Sequence, residues 1–230
     1  MTKVLIGVPT AEFARQAVFY DYFNQMEKPE GTIITFAHGQ SPARNRNLMI
    51  EQALANDASH LLFLDDDTCP PKDIIEKLLR HDKDLVSGLY MMRNFPHDPI
   101  IFDYADERGH CLHATPKEGS EELFPIVASG LGALLINTRV FRGMEKPWIT
   151  MGELEKDHWC DDISFWKRAR EAGFTGFCDP TVRCGHMATV TITPEFIASQ
   201  WMVSYDTGGS SKVTIPMVKK VHNDSTVGVY

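Results

Sequence analysis

The 230-residue chain predicts an α/β fold, with a mostly parallel central sheet flanked by helices and a loop-rich excursion in its second half. Three observations carry this reading. Short apolar runs alternate with helical patterns through the first ninety residues, as strand–helix–strand units do. His60-Leu61-Leu62-Phe63-Leu64 is continuously apolar, as expected of a strand covered on both faces. Residues 91–125 lose periodicity and gather Pro, His, Gly and charge, which marks loops or a small hairpin.

Taken in order, Val4–Val8 is the first strand, and Phe13, Ala17, Phe19, Tyr20 and Phe23 recur at helical spacing before a β-branched strand at Thr32–Phe36. Leu48, Met49, Ala53 and Leu54 mark a helix over Ala43–Asn56, with Arg44, Asn45, Arg46 and Asn47 crowded at its start. The strand at 60–64 stops at Asp65-Asp66-Asp67. Pro70-Pro71 opens a helix over Lys72–His81, since proline is tolerated in a first turn, and Leu85–Tyr90 returns to the sheet. Short strand-like pieces follow at Ile100–Phe102 and Cys111–His113. Ile126–Ser129, the Gly130-Leu131-Gly132 turn and Ala133–Asn137 restore the sheet before a short helix at Arg139–Met144. Ile163, Phe165, Trp166, Ala169 and Ala172 line an amphipathic helix that starts at Asp161 or Asp162 and ends at Gly173. Gly176–Cys178 and Thr181–Cys184 read as strands and Pro194–Met202 as a helix. One domain spans 1–205, in halves 1–90 and 91–205, and 206–230 forms a tail suited to a lid or an oligomer contact.

Composition narrows the function. Lys and Arg number 23 against 31 Asp and Glu, a net charge of −8, which excludes a protein whose main task is neutralising phosphate backbones. A nucleic-acid acceptor, such as a modified nucleobase met by Arg93, Arg108 and Lys117, stays among the alternatives, though such scattered cations give it no support. Five cysteines without a CxxC pair read as reduced thiols, and His158, Cys160, Cys184 and His186 match no standard zinc spacing. No apolar run approaches the ~18 residues of a membrane helix, and no signal pattern follows Met1, so the expectation is a cytoplasmic protein with no integral membrane segment.

Ligands of open α/β sheets bind beyond the carboxyl ends of the strands, which selects Pro9-Thr10, Asp65–Asp67 and Gly130–Gly132. Crowded carboxylates repel unless a cation neutralises them, and Mg²⁺ or Mn²⁺ favours such oxygen ligands. A solvated acidic turn capping the next helix is the plain alternative. Cations near a helix N-terminus oppose its dipole, so at least one of Arg44 and Arg46 is expected to serve a ligand.

Leu61-Leu62-Phe63-Leu64-Asp65-Asp66-Asp67, preceded by Ala43-Arg44-Asn45-Arg46-Asn47, resembles the Asp-any-Asp region of nucleotide-sugar-dependent glycosyltransferases with the GT-A fold, family 2-like. Ala128–Ile136 is similar to that family's glycine-bearing acceptor-side strand, and Asp161–Ala169 to its Glu-Asp helix start. The ordered set runs from residue 3 to about 187. The resemblance implies a GT-A sheet and a divalent ion, Mn²⁺ or Mg²⁺, held by Asp67 with Asp65 and by His186 as a third ligand. It implies a donor site at Pro9, Thr10, Arg44, Asn47, Asp65, the replaceable Asp66, and Gly132. Asp162 takes the place of the catalytic base, which predicts inversion; Asp161 stands where Glu is usual, so either acid of the pair can be the base, with Asp161 otherwise capping the helix. Trp148 and Trp159 are candidates to stack on a sugar or to anchor the core, and Cys184 is a buried thiol.

The function so implied is a metal-dependent transferase moving a hexosyl or related sugar from a nucleoside diphosphate donor, a UDP-sugar first, to a hydroxyl acceptor of unspecified class. The alternatives are a nucleotidyltransferase of related architecture, disfavoured because Gly7–Glu12 is neither glycine-rich nor basic, and a non-catalytic sugar-nucleotide-binding module.

Overall fold

The computed structural model describes residues 2–9, 17–94, 96–105, 111–151, 160–206 and 212–216. By their contacts they divide into two compact units, 1–92 with 97–187, and 93–96 with 188–230.

The first unit follows the expected order: β1 (Val4–Pro9), α1 (Ala17–Gln25), β2 (Ile33–Ala37), α2 (Pro42–Ala55), β3 (His60–Leu64), β4 (Thr68–Cys69), α3 (Ile74–Leu79) and β5 (Leu85–Leu89). The excursion contains β6 (Ile101–Ala105), β7 (Cys111–His113), β8 (Phe124–Ile126) and β9 (Ala128–Ser129). β10 (Ala133–Asn137), α4 (Arg139–Arg142), α5 (Asp161–Glu171), β11 (Gly176–Arg183) and β12 (Gly185–His186) complete it. Among the described residues the central sheet has seven strands in the order β2-β1-β3-β10-β5-β11-β8.

Alternation along the strands feeds two hydrophobic layers. Leu5, Leu61, Phe63, Leu134 and Ile136 pack with Met49, Ile50 and Ala53 of α2, Phe141 of α4, and Phe165 and Trp166 of α5. Their neighbours Val4, Ile6, Leu62, Leu64 and Leu135 pack with Phe19 and Phe23 of α1 and Ile74, Ile75 and Leu78 of α3. Helices therefore cover both faces, which is why β1 and β3 read as unbroken apolar runs.

The expected mostly parallel sheet is instead mixed. β1 pairs in parallel with β2 and β3, and β5 with β11, but β10 runs antiparallel between β3 and β5 and β8 antiparallel to β11. The chain leaves β5 into the excursion and re-enters the sheet at Ala133, which pairs with Leu64 at the opposite end of the strand's path. Burial on both faces makes β10 apolar whatever its direction, so its hydrophobic run carries no mark of orientation.

In the second unit the helix expected at Pro194–Met202 is a hairpin. β13 (Thr191–Ile197) pairs antiparallel with β14 (Gln200–Asp206), which pairs with β15 (Lys212–Pro216) of the expected tail; residues 217–230 lie outside the described set. Pro194, Ile197, Ala198 and Trp201 mimic helical spacing. The pairing puts Ile192, Pro194 and Phe196 on one face with Trp201, Val203 and Tyr205, a period of two. Ala198 and Ser199 form the two-residue turn with φ of 48° and 65°, a job usually given to Asn-Gly, so no turn signal appears in the sequence.

Changing Ala198-Ser199 to Asn-Gly should therefore stabilise the hairpin by about 1 kcal/mol, seen as slower amide exchange over 191–206. A helix there would instead be weakened by the glycine by about 1 kcal/mol, with faster exchange.

Candidate active site

The candidate site lies where β3 and β5 end and β10 begins. Asp65-Asp66-Asp67 turns tightly, Thr68 N–H donating to the Asp65 carbonyl at 3.0 Å and Asp65 N–H to the Gly132 carbonyl at 3.1 Å. Gly132 N–H donates to the buried Tyr90 hydroxyl at 3.0 Å. A Cβ on Gly132 would lie 3.0 Å from Asp65 Oδ2, 3.1 Å from the Tyr90 hydroxyl and 3.2 Å from Thr68 Oγ1. One on Gly130 would overlap the Tyr90 hydroxyl outright. Both glycines are thus needed for close approach of backbone to polar side chains.

Arg46 sits at the centre of the acids. Its Nη2 donates to Asp65 Oδ1 at 2.8 Å, while Nη1 donates to Asp161 Oδ2 and lies 3.5 Å from Asp162 Oδ1. The side chain is 6% exposed. Burial works against its charge, but Asp65, Asp162 and Asp161 outweigh this and raise its pKa above the ordinary guanidinium value. One group from α2 so joins the tip of β3 to the first turn of α5.

Asp162 has the site's clearest titration anomaly. Burial pushes its carboxyl up to about 7; the Arg46 charge opposes this, Asp161 and Asp65 reinforce it, and the Leu131 N–H favours the ionised form. Asp161 is not the expected cap. Cys160 occupies the N-cap position without a side-chain hydrogen bond, and the Asp161 carboxylate is taken by Arg46.

His186 reaches the site through the small β4–β12 pairing, which sets it opposite Thr68, and Met187 N–H donates to the Asp67 carbonyl at 2.8 Å. Its Nδ1 lies 2.8 Å from the Met91 carbonyl, an acceptor only, so Nδ1 carries the proton. Its Nε2 lies 3.5 Å from Asp67 Oδ1, within ion-pair reach of that carboxylate. An imidazole beside a carboxylate is a donor set that could hold a divalent ion such as Mn²⁺. Among the described residues no three His, Cys, Asp or Glu side chains converge as a ready-made metal cage.

Asp65, Asp67, Gly132, Asp161, Asp162 and His186 are thus brought together, while other candidates take different places. Pro9 is buried at the end of β1, Asp66 is half-buried in the turn, and Thr10, Arg108, His158 and Trp159 lie outside the described residues. Arg44 is exposed on the far side of α2, lining an open groove of about 610 Å³ with Lys146, Thr150 and Met151. The Asn47 amide is spent on a loop: Nδ2 donates to the Ala43 and Ile149 carbonyls, and Oδ1 accepts from the Trp148 and Ile149 N–H groups. Trp148 is a core anchor, 3% exposed, with Nε1 donating to the Phe141 carbonyl. Cys184 is buried, and burial pushes its thiol up to about 12.

Tyr90 is the residue that sequence reasoning did not assign, while Arg46, expected with Arg44 to serve a ligand, is spent on three acids of the protein itself. Arg46 shares the helix face of Met49, Ile50 and Ala53, so its spacing marked a charge on the buried side. Tyr90 carried no signal beyond being the last residue of an apolar run.

Arg46→Met should cost about 3 kcal/mol in urea unfolding, the lower end for a broken buried pair because Asp65 keeps contact with water. Adding Asp161→Asn should recover part of that loss, since one uncompensated acid is removed. Strictly additive losses in the double variant would contradict the coupling.

No family model matches the sequence, and neither does any curated protein. Among solved structures the chain is similar to A197 from STIV, at 14% identity and a TM-score of 0.57, covering 98% of this chain and 99% of that one. It is also similar to GalNAc-T7, whose crystal structure is described with UDP, GalNAc and Mn²⁺, at 12% identity and a TM-score of 0.52 over 80% of this chain and 43% of that one. The chain thus spans less than half of GalNAc-T7. At such identities the likeness is one of fold: a mixed α/β architecture resembling GT-A.

Proposed function

We propose that this chain is a metal-dependent glycosyltransferase that moves a sugar from a nucleoside diphosphate, a UDP-sugar first, to a hydroxyl acceptor. The observation that carries the reading is the meeting of the β3 acids and the α5 acids around Arg46, beside the Asp67–His186 pair. In this reading the β3 acids serve the donor and the α5 acids the acceptor. GalNAc-T7, crystallised with UDP, GalNAc and Mn²⁺, is similar in fold and lends support.

Asp67 and His186 would hold the divalent ion, with Asp65 at its flank. That ion, when bound, supplies positive charge against the diphosphate leaving group. The protein does the rest. Asp162 accepts the proton of the acceptor hydroxyl as that oxygen attacks the anomeric carbon, and attack from the face opposite the leaving group inverts the configuration. A carboxylate with its pKa lifted to about 7 is a stronger base than an ordinary aspartate and is still half ionised at neutral pH. The Gly130–Gly132 turn supplies the Leu131 N–H that favours the ionised form of Asp162. Among the described residues no helix is long and apolar enough to cross a membrane, and the acceptor is a hydroxyl compound of unassigned class.

Thermal shift and donor hydrolysis across UDP-, GDP-, CMP- and dTDP-sugars with Mn²⁺ test the reading: one nucleotide should stabilise the fold, and EDTA should abolish turnover. Asp67→Ala should lose the response to Mn²⁺, and Asp162→Asn should lower kcat by about 10²–10⁴-fold. Because protonated Asp162 cannot accept a proton, kcat/KM should rise with pH and level off above about 7. An acid limb lying near the ordinary aspartate pKa, or full activity in both variants, would refute the mechanism.

A further inference from the structure

We propose that Arg46 is a positioning residue for the transfer step, fixing the base Asp162 relative to the donor-side Asp65; this rests on the transferase reading. The guanidinium is planar, so its two terminal nitrogens point in set directions. Here Nη2 serves the tip of β3 and Nη1 the first turn of α5, at 2.8 Å from Asp65 Oδ1 and 3.5 Å from Asp162 Oδ1. The group cannot drift. Its stem lies on the buried face of α2 with Met49, Ile50 and Ala53, and its head lies 6.0 Å from the Phe63 ring.

The α5 end needs such a tether. Cys160 gives no side-chain cap to the helix, and Asp162 Oδ1 is buried without a hydrogen bond, its nearest charge being Arg46. Asp161, held by Nη1, links the first turn of α5 to the same guanidinium that holds Asp65. Arg46 touches neither sugar nor acceptor in this role. It acts through the acids.

Lysine at 46 discriminates this role from simple charge balance, because it keeps the charge and loses the fork. In Arg46→Lys, shown to be folded by its melting curve, kcat should fall by about 10–100-fold, the scale of a misplaced reacting group. The donor KM and the Kd for Mn²⁺ measured calorimetrically with UDP should stay within about threefold of the parent. Arg46→Gln, a planar donor without charge, is the second variant, should the lysine protein not fold, and should show the same split with a larger drop. Parental kcat in either folded variant would overturn the proposal. So would Mn²⁺ and UDP affinity falling in step with kcat, since Arg46 would then belong to the donor site itself. A parent that neither binds Mn²⁺ with UDP nor turns over any donor removes the transferase reading, and this inference with it.

Discussion

Charge cannot be buried alone, and the candidate site is organised around that constraint. Arg46 is 6% exposed and stands among Asp65, Asp161 and Asp162, carboxylates from two elements far apart in the chain. Without the guanidinium the acids would repel one another at the end of the sheet; without the acids the guanidinium would be an uncompensated charge in the core. The interaction therefore ties α2, β3 and α5 together at one end of the central sheet.

Close backbone approach is the second requirement. β10 enters beside β3 and β5 through a turn whose glycines lie against the Tyr90 hydroxyl and the Asp65 carboxylate. Antiparallel insertion of β10 is what delivers this turn to the Asp65 end of the sheet. The β4–β12 pairing does the same for His186, bringing a residue from the end of the first unit opposite Thr68. Acidic, glycine and imidazole groups thus converge by different connections: the Arg46 side chain for the acids, the Tyr90 hydroxyl and the Asp65 N–H for the glycine turn, and main-chain pairing for His186.

Much of this was legible because local rules dominate it. The strands at 4–8, 60–64 and 85–90, the helix over 43–56 and the acids after Leu64 all follow from apolar runs, helical spacing and an abrupt change to charge. Asp161 and Asp162 at the start of a helix were equally plain, although capping by Asp161 was not its fate: a tertiary partner took its carboxylate. The hairpin at 191–206 misled because Ala198-Ser199 turns the chain without the residues that announce a turn, while apolar spacing mimicked a helix.

The sequence by itself determined the principal strands and helices of the first unit, though not the short β4, β8 and β12, and which chemical groups stand at strand ends, since burial on two faces and capping are written in neighbouring residues. Tertiary structure alone decided that Arg46 and not Arg44 joins the acids, that Asn47 and Trp148 serve packing, and that β10 runs antiparallel. Those outcomes depend on partners as many as 115 residues away, whose directions no local periodicity encodes.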